Sequence, residues 1–109
     1  MERFIVGQVV SVDFPFSDLA TLKKRPAIIV AVADFGDLIL CQVTSKPYSS
    51  SKAIPLVATD FQNGRLPVDS FIRPDKLFTV ASSRINKVHG LLSAGKIKLV
   101  KQSLRDIFK

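Results

Sequence analysis

The chain has 109 residues, 47% of them hydrophobic and 23% charged, and a formal net charge of +7. That length supports one domain, residues 1–109, with a core that needs neither disulfide nor metal, and the hydrophobic fraction excludes a disordered chain. No apolar run approaches the roughly 20 residues that span a bilayer, and the opening Met1-Glu2-Arg3-Phe4 leads into strand-like alternation rather than a secretory signal, so a cytoplasmic protein with no membrane partner is expected.

Residues 8–14, QVVSVDF, alternate Val10, Val12 and Phe14 against Ser11 and Asp13, the period of a half-buried strand. Residues 15–24 read as a loop, because Pro15, Ser17, Asp18 and the Lys23-Lys24 pair interrupt any periodicity. RPAIIVAVA, residues 25–33, is apolar on both faces and predicts a central strand, with Pro26 tolerated near its beginning. DFGD, 34–37, is a turn signal, and LILCQVT, 38–44, returns as the next strand. SKPYSSSKA, 45–53, is a polar loop, IPLVA, 54–58, a short strand, and TDFQNGRLP, 59–67, a connection carrying the Asn63-Gly64 turn signal. VDSFIR, 68–73, and LFTVASSRI, 77–85, predict two more strands. Ile97, Val100, Leu104 and Ile107 then recur at helical spacing, with Ser93 placed as the N-cap. Short strands with short connections and no crossover helix predict a mostly β protein: a small antiparallel barrel with one C-terminal packing helix.

The charge points to a polyanionic partner such as nucleic acid, although the basic C-terminal residues 93–109 read equally well as a solvated helix face. One cysteine and one histidine do not make a conventional zinc site, so no metal or cofactor is expected. Cys41, inside an apolar strand, reads as a small hydrophobe, and His89 has no nucleophile beside it in sequence and reads as structural or solvated.

If 34–37 closes a hairpin, Ala33 faces Leu38, Arg25 faces Lys46, and Thr44 stands diagonally across from Arg25 on the same face. Arg25, Thr44 and Ser45, with Lys24 and Lys46 nearby, then supply guanidinium, hydroxyl and ammonium donors at one rim. Such a set suits a phosphodiester, for which arginine offers a bidentate fork; an ordinary exposed hairpin end is the plain alternative.

Taken in order, GQVVSVDFPFSD (7–18), KKRPAIIV (23–30), QVTS (42–45), IRPDKLFTVASSRI (72–85) and GLLSAGKIKLVKQSL (90–104) resemble the MazF/PemK family of toxins from bacterial type II toxin–antitoxin systems. The resemblance implies an SH3-like barrel of the CcdB/PemK type, a homodimer, and a sequence-specific endoribonuclease that cuts single-stranded RNA without a metal. It also implies a cognate antitoxin whose acidic, disordered tail occupies the RNA groove. The family's paired Arg and Thr/Ser fall on Arg25 and Thr44, and the Arg-x-Asp of some members on Arg73-Pro74-Asp75. Those members carry a histidine in the first loop, and residues 15–24 contain none.

On that resemblance, Arg25 and Thr44 stabilise charge developing on phosphorus, while the substrate's own 2′-hydroxyl attacks and leaves a 2′,3′-cyclic phosphate. Arginine's pKa above 12 makes Arg25 a clamp before it is a proton carrier. Asp75 is the candidate base beside Arg73; the plain alternative is a surface ion pair worth under about 1 kcal/mol. Lys23, Lys24, Ser45, Lys46, Tyr48 and Phe16 are the expected RNA contacts, through steering, hydroxyl donation and base stacking. A gyrase-inhibiting toxin on the same fold is the alternative function, as is a degenerate member that only binds nucleic acid or antitoxin.

Overall fold

A computed structural model describes residues 3–15, 22–46 and 51–109; within these, the side chains of Phe14, Pro15, Leu22 and Lys23 are not described. Among the described residues, seven strands form one antiparallel sheet: β1 (Gln8–Pro15), β2 (Leu22–Val32), β3 (Asp37–Thr44), β4 (Ile54–Leu56), β5 (Phe61–Gly64), β6 (Ser70–Ala81) and β7 (Ile85–Leu92). The order across the sheet is β4-β6-β3-β2-β1-β7-β5, which puts the doubly apolar β2 in the middle, as its sequence requires. The sheet curls into a half-barrel with β4 and β5 at its edges, followed by the α-helix α1 (Ala94–Ile107). The mostly β, barrel-like architecture with a C-terminal packing helix is therefore the one expected from the pattern.

Both faces of the curled sheet are sealed. Val9, Ile28, Cys41, Val43, Ile72 and Leu92 form one core with Val100 of α1, which Ile97 and Leu104 extend. Val10, Val12, Ala27, Ile29, Leu38 and Leu40 form a second core on the opposite face, joined by Phe4, Phe78, Val80 and Ile85. Val9 and Val10 are adjacent yet both fully buried, so β1 is covered on two sides where its alternation predicted one. The helix begins where expected, with Ser93 Oγ accepting the Lys96 backbone N–H. Asp60 reinforces that start, since its carboxylate pairs with Lys96 at 3.4 Å and its carbonyl accepts the Ser93 N–H at 2.8 Å.

β2 begins at Leu22, so residues 22–24, expected within the loop 15–24, are strand paired with β1. Three further differences from the sequence reading have local causes. Residues 61–64, expected within a connection, form β5 at the sheet edge, because Gly64 and Gly90 let two backbones approach closely; a Cβ on either would collide with backbone atoms of the other strand. The two strands expected around residues 68–85 are one strand, β6, whose pairing with β3 jumps from Gln42↔Arg73 to Cys41↔Leu77 and leaves Pro74-Asp75-Lys76 as a bulge. Residues 85–92 add β7, which weak alternation and a glycine had concealed.

Candidate functional site

The β2–β3 register decides what meets Arg25. Val32 pairs with Leu38 and Ala31 with Ile39, but from Ile29↔Leu40 to Ala27↔Gln42 the pairing has slipped by one residue. Continued two residues past the last ladder pair, that register sets Arg25 level with Thr44, two residues from the Lys46 that the hairpin expectation gave. One residue of this shift arises at the turn, where Leu38 pairs with Val32 and not with Ala33, and the other at the irregularity between Ile29 and Ala31. Arg25, Gln42 and Thr44 thus share the face of the second core and continue it as a polar extension. Arg73, paired with Gln42, joins them from β6.

These side chains enclose a cavity of about 200 Å³ lined by Arg25, Gln42, Thr44, Lys46, Arg73 and Lys76. A second cavity of about 320 Å³ shares Arg25 and Thr44 and adds Lys24, Ser45, Leu66, Pro67, Val68 and Ser70 among its walls. The first lining holds four cations and no carboxylate, the electrostatics of an anion site. Thr44 is oriented within it. Its Oγ1 accepts the Lys46 backbone N–H at 3.2 Å, which leaves the hydroxyl proton to be donated elsewhere.

Asp75 stands in the β6 bulge and receives two bonds from Arg73, Nε to Oδ1 at 3.4 Å and Nη2 to Oδ2 at 3.0 Å. It is not among the residues lining either cavity and connects to the first through Arg73. The structure therefore brings Arg25, Thr44, Lys46 and Arg73 together, with Lys24 and Ser45 next to them. Lys23 sits on β2 opposite Phe14 of β1, and Phe16 and Tyr48 lie outside the described residues. Gln42 and Lys76 were missed. The period of two back from Thr44 would have found Gln42, whereas Lys76 is delivered by a bulge that no alternation announces.

The sequence pattern of PemK-like, MazF-like toxins of type II toxin–antitoxin systems matches residues 5–108. The chain belongs to this toxin family. Solved structures share the toxin's fold at low sequence identity. A mycobacterial endoribonuclease in complex with its cognate antitoxin superposes with a TM-score of 0.77 at 14% identity, over 97% of this chain and 95% of that one. The MazF-mt6 toxin of Mycobacterium tuberculosis gives 0.70 at 15% identity, over 93% and 95%. MazF of Deinococcus radiodurans gives 0.72 at 20% identity, over 94% of each chain. No curated protein matches the sequence.

Two other titratable groups of this PemK/MazF-like toxin stand apart from the cavities around Arg25. Cys41 is fully buried, and burial first, with the charge of Asp75 second, pushes its thiol up to about 12. His89 Nε2 shares a hydrogen bond with Ser11 Oγ, and burial followed by the nearby Lys87 holds its pKa below the ordinary histidine value. Among the described residues no cluster of histidine, cysteine and carboxylates could hold a metal, and no helix is long and apolar enough to cross a membrane.

Proposed function

We propose that this toxin is a sequence-specific endoribonuclease that cleaves single-stranded RNA by intramolecular attack of the 2′-hydroxyl, giving a 2′,3′-cyclic phosphate and a free 5′-hydroxyl. The observation that carries the proposal is the convergence of Arg25 and Thr44 on one cationic cavity with Arg73 and Lys46. Attack turns the phosphodiester into a crowded, more highly charged phosphorane, and donors fixed on strands stabilise it without having to reorganise. Arg25 and Arg73 supply planar guanidinium forks, and Thr44 donates a hydroxyl whose oxygen is already held. Asp75 orients Arg73; both of its oxygens are engaged by that guanidinium, so service as the base that takes the 2′-proton requires the pair to open.

The same reading takes Lys24 and Ser45 as substrate contacts in the adjoining cavity, a second copy of the chain as partner in a homodimer, and an antitoxin with an acidic tail as the natural competitor for these cations. Family membership and the fold shared with a mycobacterial endoribonuclease seen with its antitoxin support it. The test is incubation of the purified protein with single-stranded RNA in EDTA, followed by sequencing of the new 5′ ends. Cleavage at a short recurring motif that disappears in Arg25→Ala, with the fold retained, is the expected result. Intact RNA, or cutting that persists in the variant, would refute the proposal.

A further inference from the structure

A further cavity among the described residues is larger than either of those around Arg25. About 700 Å³ is enclosed by Gly64, Arg65, Leu66, Pro67, Lys87 and His89, at the junction of β5 and β7. Its lining carries an arginine, a lysine and a histidine and no carboxylate. Neither the Arg65 nor the Lys87 side chain makes an ion pair or hydrogen bond among the described residues.

Backbone pairing builds the site. Gly64, at φ +74°, lies against Gly90, and the Arg65 backbone N–H donates to the His89 carbonyl at 3.2 Å. The arginine is thereby anchored to the strand that carries Lys87 and His89. Ser11 fixes the His89 ring from β1. Leu66 and Pro67 form a wall common to this cavity and to the one containing Arg25 and Thr44, and Val68, exposed and apolar, continues that wall on the Arg25 side. Two anion-suited cavities on either side of one apolar ridge match the alternation of charge and stacking surface along a nucleic acid strand.

We infer that the Arg65–Lys87–His89 cavity holds a backbone phosphate of the same RNA strand whose scissile phosphate lies at Arg25 and Thr44, with the intervening sugar and base packed on Leu66, Pro67 and Val68. The inference rests on the endoribonuclease reading for its substrate class. It adds a second point of attachment, so that RNA long enough to cross the ridge gains binding energy unavailable to a fragment confined to the first cavity. Continuity with the Arg25 cavity favours RNA over an acidic peptide, which has no need of the shared wall.

The test reads binding rather than cleavage, which separates it from the activity proposal. A fluorescein-labelled single-stranded RNA of about a dozen nucleotides, 2′-O-methylated throughout so that it cannot be cut, is titrated at several salt concentrations. The proteins are the full chain, its Arg65→Gln/Lys87→Gln variant and a charge-matched Lys98→Gln/Lys101→Gln control on α1. Circular dichroism checks that each is folded. The expected result is affinity lower on the order of tenfold, and a salt slope reduced by roughly one unit, for the Arg65/Lys87 variant alone. Equal affinity in all three proteins overturns the inference, as does an equal loss in the α1 control, which would report net charge only. Weakened binding of a poly-glutamate peptide with RNA binding unchanged would overturn it in favour of a protein-docking site. A chain that binds as expected but cuts no RNA sinks the nuclease proposal and leaves the subsite standing.

Discussion

On the proposed endoribonuclease reading, replacing Arg25 separates attraction from catalysis, because the cavity around it is redundant in one respect and not in the other. Arg25→Ala leaves three of the four lining cations, Lys46, Arg73 and Lys76. Charge that draws RNA in is thus largely retained, and KM is expected to rise by no more than about tenfold, the cost of one phosphate contact. The fork level with Thr44 has no substitute. Losing one preorganised donor to a developing oxyanion costs on the order of a hundredfold to a thousandfold in kcat, about 2.7–4 kcal/mol. Arg25→Lys restores charge without the fork and is expected to recover KM while kcat stays low. The assay is steady-state cleavage of a fluorogenic RNA bearing the mapped motif, with folding verified by thermal melts. A variant whose kcat is unchanged and whose KM alone rises would show that Arg25 binds substrate and transition state equally, and the assignment would be wrong.

The remaining predictions concern other parts of the chain. Thr44→Val keeps the shape and removes the donor, so kcat is expected to fall by roughly one to two orders of magnitude with melting temperature nearly unchanged; an unaltered kcat would leave the held hydroxyl without a role. Gly90→Val forces a side chain into Asn63 and Gly64 of β5 and is expected to lower stability by at least about 1–3 kcal/mol in urea unfolding; an unshifted midpoint would contradict the close approach. His89 is held below its ordinary pKa, so the unfolded chain binds more protons just below about pH 6.5. Its contribution to stability is present above that value and lost as pH falls through the lowered folded value. His89→Gln should flatten this segment of the stability–pH curve, and an identical slope in both proteins would exclude His89 as the source. Cys41, pushed up to about 12 and buried, should react with a thiol reagent only as fast as the chain opens; rapid labelling of the native protein would disprove its burial.

The strand pattern was legible where burial is continuous or strictly alternating. Residues 25–33 read as central because neither face is polar, and Ser93 read as a cap because a hydroxyl stands just ahead of a helical period. What escaped were features created by two chains of contact at once. β5 exists because Gly64 meets Gly90, two glycines far apart in sequence, of which Gly64 reads locally as a turn signal and Gly90 carries no local signal. The Pro74-Asp75-Lys76 bulge is visible only against the register of β3. The candidate site was legible in composition and not in geometry. Arg25 and Thr44 stand out by residue type and family resemblance, but the expected register put Lys46 opposite Arg25, since neither the tighter turn that pairs Val32 with Leu38 nor the irregular residue near Val30 can be read from hydropathy. Lys87 and Arg65 escaped for the same reason as β5 and β7, the strands that carry or flank them.

The β2–β3 ladder stops at Ala27, next to a proline that can donate no strand hydrogen bond, whereas β1 stays paired with β2 out to Leu22. Residues 22–26 are therefore a shelf fastened along one side. No β2–β3 ladder pair joins that shelf to Thr44, so a guest entering between them meets no pairing of these two strands. On the proposed function, a phosphate held there would leave the pairing of β2 with β1 untouched.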